Sequence, residues 1–516
     1  MSLLSDSIVV CNITCYFGME ERKVIRRDFL LLCVSAIVAF AVLVRLCVGL
    51  SGYSGAGKPP MYGDYEAQRH WMELTINLPP NQWYYNSSNN NLQYWGLDYP
   101  PLTAYHSWLC GIIAHHINPE WVALNNSHGY ESYQHKLFMR YTVLVADVLL
   151  YFSAVVWFVT VCMPEWTWLE KLACLILMLL QPSLIIIDHG HFQYNCISLG
   201  LALFGVVAVV HDWDLVGSVA FMLSLNYKQM ELYHALPFFF YLLGKSLYCP
   251  NRMIKIVKLG TMVIGIFIVC WLPYLSSQAD VLQVLHRLFP FSRGLYEDKV
   301  ANFWCTASVV LKLRQLLSHE ILTMLTAVTT LLAVLPSGVH LMLNPTPYCF
   351  ILALINSSLA FFLFSFQVHE KSILLAVMPV SLLSFTHPIV STWFAVVSLF
   401  SMYPLLVRDG LAIACWALTG IFCVCSKYCL PHQKVSKITL TFCVSSVVGL
   451  MMLCAASHVI SPPSRLPDLF PVLISGYSCI LFLLSCVYFN ITQFSCHKTV
   501  HFKHSHTVQN TRLKSD

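Results

Sequence analysis

Long apolar runs, separated by short polar segments, follow one another along the chain from Phe29 to Tyr488. A helix needs about 20 apolar residues to cross the hydrocarbon core of a bilayer, which is roughly 30 Å thick. The runs therefore predict an all-α, polytopic membrane protein with about fourteen transmembrane helices. The predicted spans are 28–50, 138–163, 167–188, 195–211, 214–226, 231–248, 255–276, 320–343, 348–367, 371–387, 389–407, 411–427, 437–460 and 468–491.

Composition agrees with this pattern. Of the 516 residues, 57% are hydrophobic and 11% are charged, whereas about 25% of residues are charged in soluble proteins. The net charge of +5 lies mainly in short loops, so it indicates orientation and not nucleic-acid binding. The 21 cysteines fall mostly inside apolar runs, where cysteine behaves as a small hydrophobic residue. They therefore do not predict a disulfide-based fold.

Basic segments indicate how the predicted spans are oriented. The segment "EERKVIRR" precedes the first span, and positive residues favour the cytosolic side, so the N-terminus is predicted to be cytosolic. Counting spans from there places "GKSLYCPNRMIKIVK", "SKYCLPHQKVSK" and the C-terminal tail on the same side. The predicted organisation is a cytosolic segment at 1–27, a membrane domain at 28–492 with a first non-cytosolic loop at about 51–137, and a cytosolic tail at 493–516. Within the first segment, residues 1–18 are expected to be an added tail.

Polar segments on the opposite side of the membrane carry groups that can act chemically. They are the loop at 51–137 and the segments "DHGHFQYN", "NYKQMELYH", "HRLFPFSRGLYEDKVANFW" and "FQVHEKS". This asymmetry predicts one functional site on the non-cytosolic surface; the alternative is that these residues are helix ends that meet water. The sequons at Asn86 and Asn125 are candidate glycosylation sites if this side is luminal.

The segment "GDYEAQRHWMELT" (Gly63–Thr75) concentrates charge in an otherwise apolar chain. It predicts a helix with Asp64 near its N-cap, and with Glu66 one turn before Arg69 and His70, which can neutralise it. Asp64 has no such neighbour, so it would stay ionised at the helix N-terminus, as a general base requires. The alternative, that Asp64 only caps the helix, is equally compatible with the sequence.

A second acid, Asp98, lies among aromatic residues in "LQYWGLDYPPLTAYHS" and precedes Tyr99. Carbohydrate sites pair acids with aromatic faces, because a sugar ring has an apolar face and a rim of hydroxyl groups. The alternative is an aromatic belt at the membrane surface. Pro100 and Pro101 disfavour a helix at Tyr99 and predict a rigid turn.

Six segments that occur in order resemble those of one enzyme family: "GDYEAQRHW", "YWGLDYPPLTAYHS", "DHGHFQYN", "NYKQMELYHALP", "RLFPFSRGLYEDKVANFW" and "FQVHEKSILL". They are similar to the glucosyltransferases of the endoplasmic reticulum that use dolichyl phosphate glucose. The resemblance covers the chain from about Ser51 to Phe489. It implies the membrane-embedded glycosyltransferase fold called GT-C, in which the first luminal loop carries a catalytic acid at the position of Asp64.

Within that family, "GDYEAQRHWMELT" and "NYKQMELYHALP" look like the first of two successive enzymes. The resemblance implies inverting transfer of the first glucose from dolichyl phosphate β-D-glucose to Man9GlcNAc2-PP-dolichol in α-1,3 linkage, on the luminal side of the endoplasmic reticulum membrane. The implied partners are these two substrates and membrane lipid, with no nucleic acid. One alternative is the second enzyme, whose acceptor already carries one glucose. A lipid-linked sugar transporter is disfavoured because the acids cluster at one membrane edge and not at the midplane.

Inversion in one displacement needs a base on the acceptor hydroxyl and stabilisation of the leaving phosphate. The resemblance assigns the base to Asp64. The candidate residues for donor phosphate or sugar are His369, Lys371, Arg293, Lys228, His191 and Gln193. The candidate residues for binding the acceptor or supporting the site are Glu66, Arg69, His70, Asp98, Tyr99 and Glu231.

No cofactor and no metal are expected. Phosphate is a good leaving group, and basic side chains can stabilise its charge. His189 and His191 could form half of a metal site, but the sequence offers no obvious third ligand.

Overall fold

The computed structural model describes residues 28–289, 299–431 and 435–496; this part of the chain is largely helical and contains no β-strand. The first span is α1 (Asp28–Gly49), followed by α2 (Gly63–Asn77) and α3 (Pro101–Ile117). The other helices are, in chain order, α4 (Tyr133–Ala146), α5 (Ser153–Val161), α6 (Trp168–Leu179), α7 (Pro182–Ile185), α8 (Asn195–Val210), α9 (Asp214–Tyr227), α10 (Leu232–Leu247), α11 (Arg252–Trp271), α12 (Gln278–Leu288), α13 (Phe303–Leu311), α14 (Leu313–Leu316), α15 (His319–Leu343), α16 (Pro347–Phe364), α17 (Leu374–Leu382), α18 (Pro388–Ser401), α19 (Tyr403–Arg408), α20 (Ala412–Cys429), α21 (Lys437–Val459) and α22 (Leu469–Phe494). The predicted all-α class is therefore confirmed for the described residues.

Nine helical segments within the described residues are long and apolar enough to cross a membrane. They are Asp28–Gly49, Tyr133–Val161, Trp168–Phe192, Arg252–Tyr274, His319–Leu343, Pro347–Phe364, Ala412–Cys429, Lys437–Val459 and Leu469–Phe494. The predicted number of fourteen is not confirmed. The apolar runs at 214–226, 231–248, 371–387 and 389–407 form shorter helices, because an apolar run can be buried by neighbouring helices as well as by lipid.

Two of the spans contain π-helical turns. The second span passes from α4 through the π turn Asp147–Phe152 into α5. In the third, α6 ends before the Gln181–Pro182 step, and α7 leads into the π turn Ile186–Phe192. Proline removes a helical hydrogen bond and disfavours helix at the preceding residue, which explains the break. The second π turn carries the "DHGH" residues to the edge of the span.

The predicted first non-cytosolic loop is a folded unit and not an open loop. Its helix α2 begins at Gly63, as predicted, and packs against α3, which starts with Pro101 in its first turn. Both helices bury apolar side chains in a shared cluster, which includes Trp71 and also Trp271 from the end of α11. The following span begins at Tyr133, before the predicted residue 138, because the Ser132 side chain caps α4. This packing fixes α2 against the membrane domain.

Candidate active site

A cavity of about 680 Å³ lies where the segment after α1 meets the ends of several membrane helices. Its walls come from the start of α2, from the π turn after α7, and from the segments before α10, before α17 and after α19. Eight of the predicted site residues line it: Asp64, Asp98, Tyr99, His191, Gln193, Lys228, His369 and Lys371. The prediction that polar segments from one side of the membrane form a common site is consistent with this arrangement.

Asp64 lies in the first turn of α2 and does not cap the helix. The N-cap residue is Tyr62, and its side chain makes no capping hydrogen bond. Gly63 has φ +72°, and a Cβ atom at this position would lie 2.7 Å from Oγ of Ser54. The Asp64 backbone N–H donates to the same Ser54 oxygen, at 3.2 Å. The capping interpretation of Asp64 is therefore wrong, and its carboxylate reaches the cavity.

Three donors converge on one oxygen of the Asp64 carboxylate. Oδ2 accepts hydrogen bonds from Gln193 Nε2 at 2.5 Å and from Lys371 Nζ, and it lies 3.0 Å from His191 Nε2. The expectation that Asp64 has no partner is wrong, because its partners lie at least 127 positions away in the sequence. Within the described residues, the carboxylate hydrogen bonds all end on Oδ2, so Oδ1 is left facing the cavity.

The same contacts determine the charge of Asp64. Burial alone would raise the pKa of its carboxyl group, but the charge of Lys371 and the hydrogen bond from His191 hold that pKa well below its usual range. Solvent still reaches 23% of the side chain. The carboxylate is therefore ionised, fixed at one oxygen and accessible at the other.

The acid and the two histidines of "DHGHFQYN" have different partners. Asp188 accepts hydrogen bonds from the backbone N–H groups of Asn195 and Cys196, at the start of α8. His189 Nε2 lies 2.8 Å from Oδ2 of the buried Asp147. His191 instead faces the cavity, so the two histidines contact different carboxylates. The hypothesis that they form half of a metal site is therefore not supported by their placement.

Lys228 and Tyr99 lie side by side in the wall of the cavity. Lys228 Nζ donates to Asn195 Oδ1 at 2.5 Å and lies 5.3 Å from the centre of the Tyr99 ring. Burial and the nearby charge of Lys371 lower the pKa of Lys228 to about 8. Gln229 Nε2 donates to the backbone oxygen of Asp98 at 3.0 Å, which ties the segment before α10 to this wall.

The "VHEK" residues provide a further charged wall. His369 precedes a single 3₁₀ turn, Glu370–Ile373, that leads into α17. Both His369 and Lys371 line the cavity. Lys371 Nζ lies 3.2 Å from His191 Nε2, so these two groups flank the same oxygen of Asp64. The remaining predicted donor residue, Arg293, lies outside the described residues.

Three charged or titratable residues of α2 are buried and do not line the cavity: Glu66, Arg69 and His70. The Arg69 guanidinium binds both oxygens of Glu66, at 2.6 and 2.8 Å, and also Glu73 at 2.8 Å. It donates to Ser127 Oγ at 2.6 Å as well. These contacts hold the chain around Ser127 against α2.

Glu231 is also a supporting residue. It is buried, does not line the cavity, and lies 2.7 Å from Nδ1 of His234. His234 in turn contacts the backbone oxygen of Leu375 at 2.8 Å through Nε2. The pair therefore connects α10 to α17 beside the cavity.

A His–Glu–His group lies on the far side of α2. Among the described residues, one such group has potential metal-binding atoms within 4.8 Å of one another; it consists of His70, Glu73 and His128. Both Glu73 oxygens already accept hydrogen bonds, from the Asn125 backbone, Ser127 and Arg69. The group therefore joins α2 to the Asn125–His128 segment through its protein contacts. That the reaction needs no metal stays a prediction.

Sequence reasoning missed Asp409, which follows α19. Its Oδ2 lies 2.5 Å from Nδ1 of His191, on the opposite side of the ring from Asp64. The signal was present in "VRDG", a pair of charges between two apolar runs on the predicted non-cytosolic side. Two adjacent charged residues at a helix end are usually explained by contact with water, so no role was predicted for Asp409.

The two glycosylation candidates differ in their surroundings. Asn86 and both serines of its sequon are exposed. Asn125 is exposed too, but the hydroxyl of its sequon residue, Ser127, is bonded to Arg69 and Glu73. Both asparagines belong to the segment that packs over the cavity end of the membrane helices.

Comparison with known proteins places the chain in a family. Residues 39–489 match the model of the ALG6, ALG8 glycosyltransferase family. The chain is 50% identical over 485 residues to a chicken (Gallus gallus) protein named dolichyl pyrophosphate Man9GlcNAc2 alpha-1,3-glucosyltransferase, covering 88% of this chain and 95% of the relative. Proteins of the same name from Pongo abelii and Mus musculus are each 49% identical over 489 residues, covering 89% of this chain and 96% of each relative. The chain therefore belongs to the ALG6, ALG8 glycosyltransferase family.

Proposed function

We propose that this protein is an inverting α-1,3-glucosyltransferase that moves the first glucose from dolichyl phosphate β-D-glucose to Man9GlcNAc2-PP-dolichol. Its relatives are named for this acceptor and this linkage. The observation that carries the proposal is an ionised carboxylate, Asp64, fixed at one oxygen and facing a cavity lined by cations. The proposal includes a GT-C fold and an active site on the luminal side of the endoplasmic reticulum membrane.

The proposed reaction is a single displacement at C1 of the donor glucose. The acceptor mannose hydroxyl forms the new bond to C1 while its proton passes to Oδ1 of Asp64. The bond between C1 and the phosphate oxygen breaks, and its electron pair leaves with dolichyl phosphate. Attack from the face opposite the phosphate converts a β-linked donor into an α-linked product.

Basic side chains on the cavity wall suit the leaving phosphate. Lys371 and Lys228 both reach the cavity, and His369 lies beside them. Charged donors that are already in place stabilise the developing negative charge without having to reorganise during the reaction.

Apolar residues in the cavity wall suit a lipid-linked substrate. Leu199, Leu374 and Leu375 line the same cavity as the cations. A glycosyl phosphate attached to a polyprenyl chain needs polar groups at its head and apolar surface along its tail. Asp98 and Tyr99 add an acid and an aromatic ring, which are suited to a sugar hydroxyl and a sugar face.

Transfer by the purified protein tests the proposal. The protein in lipid nanodiscs is given dolichyl phosphate glucose with either Man9GlcNAc2-PP-dolichol or the acceptor that already carries one glucose. We expect glucose transfer to the Man9 lipid, and far less to the glucosylated one. Transfer only to the glucosylated lipid would assign the second enzyme of the pathway, and transfer to neither would refute the proposed function.

A further inference from the structure

The position of Asp409 is fixed from two sides. It follows α19, it is buried, and its neighbour Arg408 accepts a hydrogen bond at its backbone oxygen from Lys58 at 2.8 Å. A Cβ atom at Gly52 would lie 2.7 Å from the Asp409 backbone oxygen, so the absence of a side chain there permits close contact. The segment after α1 therefore holds the turn that carries Asp409.

His191 lies between two carboxylates. Its Nδ1 is 2.5 Å from Asp409 Oδ2, and its Nε2 is 3.0 Å from Asp64 Oδ2. A neutral imidazole carries one N–H and a carboxylate is only an acceptor, so a neutral ring satisfies one of these contacts and places two acceptors together in the other. The imidazolium donates to both. The Lys371 ammonium, 3.2 Å from Nε2, opposes protonation, but the two carboxylates outweigh it, and the geometry favours a protonated His191.

The balance of charge agrees with this protonation state. Lys371 supplies one positive charge to this group, whereas Asp64 and Asp409 supply two negative charges. A protonated His191 brings the group to neutrality, which matters because an unbalanced buried charge is costly. The other ionisable side chains around the cavity are Lys58, Tyr62, Asp98, Tyr99, Lys228, His369, Glu370 and Arg408. The turn that carries His191 also holds Asp188 and His189, which bond to α8 and to Asp147.

We propose that Asp409 is a positioning residue for glucosyl transfer, which keeps His191 as an imidazolium that holds Oδ2 of Asp64. This inference rests on the proposed function of Asp64 as the base. Asp409 also lines the cavity, but in the proposed step it does not receive the proton that moves. Its effect passes through His191, which fixes one carboxylate oxygen so that the other is presented to the acceptor hydroxyl.

Asp409→Asn keeps the shape of the side chain and removes its charge. The asparagine amide can donate to Nδ1, so a neutral His191 can keep its Nε2–H on Asp64 and the site can keep its geometry. The negative charge of residue 409 and the positive charge of the ring are lost together. We expect kcat to fall roughly 10-fold, because the hydrogen bond from His191 to Asp64 stays but its donor is no longer charged. We expect KM for the acceptor to change little.

The pH profile provides a readout that a structural role would not move. Activity of the unmutated protein should fall at high pH as His191 loses its proton. In Asp409→Asn this alkaline limb should shift to lower pH, and Asp409→Glu should restore part of kcat and of the limb. Asp214→Asn is the matched control, because Asp214 is equally buried but pairs with Lys245 and Lys255 away from the cavity.

His191→Gln is the second variant, and it keeps the inference testable if Asp409→Asn does not fold. Its kcat should fall, and the alkaline limb of its pH profile should disappear. The kcat of the double variant Asp409→Asn/His191→Gln should be no lower than that of His191→Gln alone. Normal kcat and an unchanged pH profile in folded Asp409→Asn, or in folded His191→Gln, would overturn the inference. Absence of transfer by the unmutated protein would instead refute the proposed function, and normal transfer by Asp64→Asn would refute the role of Asp64.

Discussion

Asp64→Asn tests the proposed chemistry most directly. Asparagine has nearly the same shape, and its amide oxygen can replace Oδ2 as the acceptor for Gln193, His191 and Lys371. The amide NH2 group then takes the place of Oδ1 and faces the cavity as a donor. It cannot accept the proton of the acceptor hydroxyl.

The expected loss is large and can be worked from these contacts. A positioned base contributes typically about 10²- to 10⁴-fold to the rate, which corresponds to about 3 to 5 kcal/mol of barrier. We expect the upper part of this range, because the change also removes the negative charge that faces Lys371 and a protonated His191. The fold should persist, since Asp64 makes no capping hydrogen bond that asparagine would lose.

The assay is glucose transfer to the Man9 lipid at equal amounts of folded protein, checked by size-exclusion chromatography in detergent. Asp98→Asn is the matched comparison, because it makes the same chemical change in the same cavity. Transfer by Asp64→Asn within a few-fold of the unmutated protein would refute the reasoning. A severe loss in Asp98→Asn alone would move the role of base to Asp98.

Four further predictions follow from particular contacts. Lys371→Met should move the acid limb of the pH–rate profile to higher pH. In the unmutated protein the charge of Lys371 lowers the pKa of Asp64, so its loss raises the pH at which Asp64 is protonated and activity falls; an unmoved limb would contradict the assigned cause. Arg69→Leu should destabilise the protein by about 3 to 5 kcal/mol, because Glu66 and Glu73 lose their buried cation; thermal unfolding beside the exposed Arg252→Leu measures this, and equal stability would count against it. Gly63→Ala should reduce stability and activity, because φ is +72° and a Cβ atom meets Ser54; Gly260→Ala, with nothing within 4 Å of its Cβ position, is the control. Asn86→Gln should abolish one glycan shift on an electrophoretic gel if this segment is luminal, and a cytosolic location found by protease protection would refute the luminal site.

Local reasoning from the sequence worked where the partners lie within one or two turns. The spacing of Glu66 and Arg69 predicted their ion pair, and the two prolines after Tyr99 predicted that Tyr99 lies outside a helix, which agrees with the start of α3 at Pro101. It failed for Asp64, whose three donors come from segments 127, 129 and 307 positions away. Helical spacing carries no information on contacts between distant segments, so an acid that looked unpartnered has three hydrogen-bond donors.

The number of spans was less predictable than the class of fold. An apolar run of about 17 residues, such as 371–387, is equally compatible with a short lipid-facing span and with a buried helix. The structure forms α17 there, with nine residues that are all buried. The sequence does not distinguish the two cases, because protein and lipid surroundings favour the same apolar side chains.

The contact between Lys58 and Arg408 joins positions that are 350 residues apart. Ribosomes make the chain from its N-terminus, so the "GDYE" segment reaches the membrane long before the turn after α19 exists. Lys371, the last partner of the Asp64 carboxylate along the chain, is likewise made long after Asp64, so the proposed base acquires its full set of donors only late in synthesis. A premature stop codon between Thr75 and Lys371 would leave the "GDYEAQRHWMELT" segment intact and remove Lys371, one of the three donors to Asp64.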